Sequence, residues 1–116
     1  MAGIQRHGDD CMMLFGKRFN HVHKWLDQYA KIYDVNEFLD YHRTFLHNSY
    51  GIEFIKRKWG SKAEKAAKIH IYRDFCGTPI KQWKLKEILA GADRAIMYFN
   101  NFKQMNIRFP KKIREY

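Results

Sequence analysis

The stretch from Ser61-Lys62-Ala63-Glu64 to Phe75-Cys76-Gly77 constrains this chain more than any other part of it. Ser followed three residues later by Glu is a capping box, in which each side chain satisfies a backbone N–H left over at a helix start, and Gly readily closes a helix. The spacing predicts a helix over 61–77. Ala63, Ala67, His70 and Asp74 fall on one stripe of it, because residues three and four apart share a helical face. A carboxylate that follows two alanines on an inward stripe needs a partner, since unpaired buried charge is costly. A cation or a protonated imidazole meets that need.

Similar reasoning divides the rest. Asn20 is a good N-cap, and Val22, Leu26, Tyr29 and Tyr33 follow at three-to-four spacing, so a first helix begins there. Asp34 or Asn36 caps a second helix of about six turns, in which Phe38, His42, Phe45, Ser49 and Ile52 share a stripe and Gly60 follows Trp59. Thr78-Pro79 is a further start signal, leading to a short helix that ends near Gly91. Beyond it, Ala95, Ile96, Phe99 and Phe102 again mark a helical face. Residues 1–18 have no steady period and read as an irregular arm, and residues 106–116 as a basic tail. With no alternating strand pattern, the expectation is an all-α fold, an irregular bundle of four to five helices in a single domain over 1–116. Trp25, Trp59 and Trp83 fall in apolar helical patterns and read as core.

Two cysteines, Cys11 and Cys76, are too few for a disulfide framework and form no C-x-x-C pair. No apolar run reaches the length of a membrane span, and the reading is a cytoplasmic protein with no membrane partner. Lys and Arg number 22 against 12 Asp and Glu, a net charge of +10 at pH 7, which favours nucleic acid or another polyanion as partner. The excess is concentrated in Lys56, Arg57, Lys58, Lys62, Lys65 and Lys68, and in Lys111, Lys112 and Arg114 of the tail, the candidate nucleic-acid contacts. A solvated helix face and a frayed terminus would produce the same pattern.

His23 and Asp27 repeat, four apart, the arrangement of His70 and Asp74. His42 and His47 lie five apart, so an ideal helix would aim them roughly 140° from each other. Either a local distortion turns both inward, or one binds an ion while the other supports it from behind. Gly51, four residues after His47, leaves room beside that imidazole for close approach. Imidazoles and carboxylates from three helices suit zinc, manganese or iron better than calcium, which prefers oxygen ligands. The candidate ligands are His23, Asp27, His42, His47, His70 and Asp74, with Asp27 or Asp74 as general base for a metal-bound water attacking a phosphoester. His7 and His21 enter no such pattern. No P-loop, H-E-x-x-H motif, adjacent His-Asp pair or evident nucleophile points to another reaction.

His23-Lys24-Trp25-Leu26-Asp27, then His42-Arg43, His47 and Gly51-Ile52, then His70 with Asp74, and then Gly77, Pro79 and Trp83 occur in an order that resembles a family of small bacterial and phage proteins known only as a domain of unknown function. The resemblance spans residues 21–83 and implies that the six candidate ligands belong together. It implies no reaction, and the heavy lysine content and basic tail depart from it. Two readings result: a metal-dependent phosphoesterase-like protein acting on or binding nucleic acid, and a non-enzymatic nucleic-acid- or protein-binding module, such as a phage inhibitor of a host nucleoprotein, with structural histidines.

Overall fold

The structure, a computed structural model, describes residues 3–28, 46–76 and 84–101. All five of their regular elements are α-helices: α1 (Ile4–Phe15), α2 (Asn20–Leu26), α3 (Ser49–Trp59), α4 (Ser61–Cys76) and α5 (Leu85–Asn101). The all-α class expected from the sequence holds. Gly77, Thr78, Pro79, Trp83, Tyr29, Tyr33, His42 and the basic tail lie outside the described residues.

α4 is the central element and touches each of the other four described helices. Ala63, Ala66, Ala67, Ile69, Ile71 and the polar His70, Arg73 and Asp74 are all buried along it. Small side chains on more than one face let neighbours approach from several directions at once. Its start is one residue earlier than a Ser61 cap requires, because the Glu64 N–H donates to the Gly60 carbonyl at 3.1 Å. Toward α2 and α3 the core is built from Val22, Trp25, Leu26, Leu46, Ile52, Ile55, Ala63, Ala67 and Ile71. The rings of Trp25 and Phe54 stack there, with centroids 4.5 Å apart and planes 2° from parallel. Trp25 is buried and Trp59 packs partly buried on the same cluster, as their spacing predicted.

Further boundaries differ from the sequence reading: α2 ends at Leu26, short of the positions of Tyr29 and Tyr33, and its cap residue is Phe19, not Asn20. The stretch read as an irregular arm contains α1, whose buried face is His7, Gly8, Asp10 and Cys11. That face has helical spacing but is polar, so apolar periodicity does not reveal it. The helix read as continuous from about residue 35 to Trp59 is interrupted by a bend at His47 and Asn48. The Asn48 side chain accepts the Gly51 N–H at 3.1 Å and starts α3 afresh. A Cβ on Gly51 would run into the backbone carbonyl of Leu46, so the bend depends on glycine at that position. Gly91 does not end a helix. It lies inside α5, where the Tyr72 ring of α4 occupies the space a Cβ would need.

Candidate metal centre

His70 and Asp74 project from the same face of α4, their Nε2 and Oδ2 atoms 3.2 Å apart. Asp27 reaches them from the turn that ends α2, its Oδ1 3.1 Å from His70 Nε2. His47 arrives from the bend before α3, with Nε2 3.0 Å from Asp74 Oδ2 and 3.6 Å from Asp27 Oδ1. Four donor atoms, one from each of Asp27, His47, His70 and Asp74, all lie within 4.8 Å of one another. The bend at His47 and Asn48 is the local distortion that brings His47 into this group.

Four ligands at ordinary zinc–nitrogen and zinc–oxygen distances on a tetrahedron would stand roughly 3.3–3.4 Å apart. The four His-to-Asp separations, 3.0, 3.1, 3.2 and 3.6 Å, bracket that spacing. Three of the side chains are fully enclosed, while Asp27 retains 12% exposure, so the group approaches solvent along Asp27.

The electrostatics are dominated by burial and by the closeness of the charges. Burial opposes the imidazolium of His70, but the Asp27 and Asp74 carboxylates outweigh it and raise its pKa to about 9. Burial likewise opposes ionisation of Asp27, yet His70 and His47 hold it down at about 2. Asp74 is pulled well below the usual carboxylate range against its own burial, by His70 first and then by the close approach of His47 and His7. Burial lowers His7 to about 4, His23 to about 3, and His47 as well. At neutral pH the cluster therefore holds two carboxylates, one imidazolium and three neutral imidazoles. One negative charge is left over, and a divalent ion in place of the His70 proton would leave none.

His23 lies behind this group rather than in it. Its Nδ1 is 3.0 Å from His70 Nδ1, on the far side of the His70 ring from the carboxylates, and its Nε2 is 2.8 Å from the Arg18 carbonyl. His42 is outside the described residues. His7, which the sequence reading set aside, is fully buried and stacks on His70 with centroids 3.6 Å apart. The available signal was the spacing of His7, Asp10 and Cys11 on one helical face.

Lys56, Arg57, Lys58, Lys62 and Lys65 are exposed and Lys68 is half-buried; Lys111, Lys112 and Arg114 lie outside the described residues. Lys56 lies 4.0 Å from Glu64, Arg57 3.9 Å from Glu53 and Lys68 3.2 Å from Asp93, so part of this basic face is locally compensated. The Lys58 ammonium sits over the rings of Phe54 and Trp59, at 5.9 and 5.6 Å from their centroids. Among the described residues, no helix is long and apolar enough to cross a membrane.

Comparisons with family models, with curated proteins and with solved structures find no match to this chain.

Proposed function

We propose that this is a divalent-metal protein in which Asp27, His47, His70 and Asp74 hold a transition-metal ion that acts on a phosphate-bearing partner, nucleic acid before nucleotide. The observation that carries the reading is the convergence of four donor atoms, all within 4.8 Å of one another, on a cluster one positive charge short of neutrality. Two imidazoles and two carboxylates suit zinc, manganese or iron. Such an ion lowers the pKa of a bound water toward neutrality. With a further coordination position open, the ion would supply a hydroxide for attack on phosphorus, the P–O bond to the leaving group breaking and the departing oxygen taking the proton removed from the water. Asp27, the most exposed member of the group, is the better placed of the two carboxylates to take the proton from that water.

The basic residues supply the binding side of the reading. Tyr50, Phe54, Arg57 and Lys58 line a surface depression of about 310 Å³ on α3, combining aromatic surface with cations as grooves for single strands do. Binding to a generic oligonucleotide is expected to weaken steeply with salt, and Lys62→Glu or Lys65→Glu to reduce the slope by about one unit each. A flat salt response removes nucleic acid as the partner.

Metal analysis of untagged protein tests the centre itself. At least one equivalent per chain is expected, with His47→Ala and Asp74→Ala both reducing it. Uptake below about a tenth of an equivalent after reconstitution would sink the reading. The competing account, in which the histidines only hold helices together, draws on the proximity of the His70 imidazolium to both carboxylates. It predicts a melting temperature indifferent to zinc or manganese.

A further inference from the structure

Asp74 meets an imidazole at each of its oxygens. His70 Nε2 is 3.2 Å from Oδ2, and His7 Nε2 is 3.2 Å from Oδ1. The two rings are stacked 3.6 Å apart and 15° from parallel, so two matched imidazoles face the two oxygens of one carboxylate. The approach of His7 is close but lies off the hydrogen-bond direction, and neither of its ring nitrogens has a hydrogen-bond partner among the described residues. The side chain is nevertheless fully enclosed. A buried imidazole with no hydrogen-bond partner among the described residues is one that a bound ion would satisfy.

We propose that Asp74 bridges two divalent ions, with Oδ2 on the ion held by Asp27, His47 and His70, and Oδ1 on a second ion bound by His7 Nε2. The proposal rests on the metal reading above and extends it. Stacked ligands hold their ions at about the stacking distance, and 3.6 Å falls within the roughly 3.5–4 Å separation of two-metal hydrolytic sites. Donors 3.2 Å apart, with bonds of roughly 2.1 Å, subtend an angle of about 100° at an ion, close to that between adjacent ligands of an octahedron.

The charge balance then favours an anionic substrate. A first ion neutralises the two carboxylates, and a second leaves two positive charges in an enclosed site. Those charges call for anionic ligands, a hydroxide and a phosphate oxygen. With only His7 and Asp74 binding it among the described residues, the second ion keeps open positions for both. A phosphate ester spanning two ions matches that requirement, and octahedral manganese or iron matches the small number of protein donors better than tetrahedral zinc.

Titration of chelator-stripped, full-length protein with Mn²⁺, followed by electron paramagnetic resonance, tests the proposal. Two equivalents per chain and the spectrum of an exchange-coupled pair are expected. His7→Phe, which keeps an aromatic ring against His70, is expected to bind one equivalent with the spectrum of isolated Mn²⁺. A single uncoupled equivalent in the unsubstituted protein overturns the bridge and leaves the mononuclear reading standing, whereas no uptake overturns both. Retention of two coupled ions in His7→Phe also overturns it. If that variant fails to fold, the stoichiometry and coupling in the unsubstituted protein still decide the question.

Discussion

His23 and His70 meet through their Nδ1 atoms at 3.0 Å, while His23 Nε2 lies 2.8 Å from the Arg18 carbonyl. A carbonyl only accepts, so His23 carries its proton on Nε2. Burial, reinforced by His70 and His7, keeps His23 neutral with a pKa of about 3, and its Nδ1 therefore offers a lone pair. His70 must donate to it from Nδ1, which leaves Nε2 as the atom that serves Asp27 and Asp74. A backbone carbonyl before α2 thus sets, through two imidazoles, the tautomer of a metal ligand on α4.

Removing this support is expected to weaken metal binding without removing a ligand. His23→Leu should lower zinc or manganese affinity by roughly 10–100-fold. Competition against a chromophoric chelator measures the change, and circular dichroism should show the helices retained. Unchanged affinity would mean that His70 does not need His23 to orient it.

Metal binding is also expected to release protons. His70, with its pKa raised to about 9, carries a proton on Nε2 at neutral pH that an incoming ion must displace. Affinity should therefore rise about tenfold per pH unit from neutrality toward pH 9 and level off above it. Calorimetry in buffers of different ionisation enthalpy should count about one proton released per first ion at neutral pH.

The stability of the metal-free protein is expected to fall on both sides of pH 6.5. His70 has a folded pKa above its ordinary value, so its contribution is complete below 6.5 and is lost as pH rises through about 9. His7 and His23 have folded values of about 4 and 3, so the unfolded chain takes up more protons as pH falls below 6.5 and the fold weakens. Asp27, held at about 2, adds a loss that begins below its ordinary value near 3.8. Urea titrations across pH should trace this maximum, and saturating metal should remove the alkaline limb by replacing the His70 proton.

Gly51→Ala is expected to damage fold and site together. The new methyl group must displace the Leu46 carbonyl, and His47 is the next residue along the chain. A cost of about 2–4 kcal/mol is expected by comparison with other steric conflicts at enclosed backbone positions. Metal affinity should fall by more than in Ile55→Ala, which removes buried core at a comparable cost of about 2–5 kcal/mol but supplies no donor to the cluster. Equal losses in the two variants would show that the bend does not position His47.

The all-α class, the centre of α4, and the placing of His70 and Asp74 on a single helical face follow from local rules of capping and periodicity acting on Ser61, Glu64 and the spacing of four. Those rules concern residues within a turn or two of one another, so they operate before any long-range contact forms. They missed α1 because its inner face carries His7 and Asp10 in place of apolar residues. They also ran one helix through His47, because nothing in the letters distinguishes Asn48 inside a helix from Asn48 capping a new one. Whether Gly91 would end a helix or make room for Tyr72 depended on which helix packed against it.

What the sequence determined by itself was therefore the chemical inventory and the helical faces on which it stands. Only the tertiary structure decided that His47 joins Asp27, His70 and Asp74, that His23 stands behind His70, and that His7 faces the other oxygen of Asp74. Those relations join residues up to 67 positions apart, from His7 to Asp74, and are set by how α1, α2 and the bend before α3 pack around α4. Helical periodicity determines the direction of a side chain on its own helix, whereas the meeting of donor atoms from different helices is decided by packing.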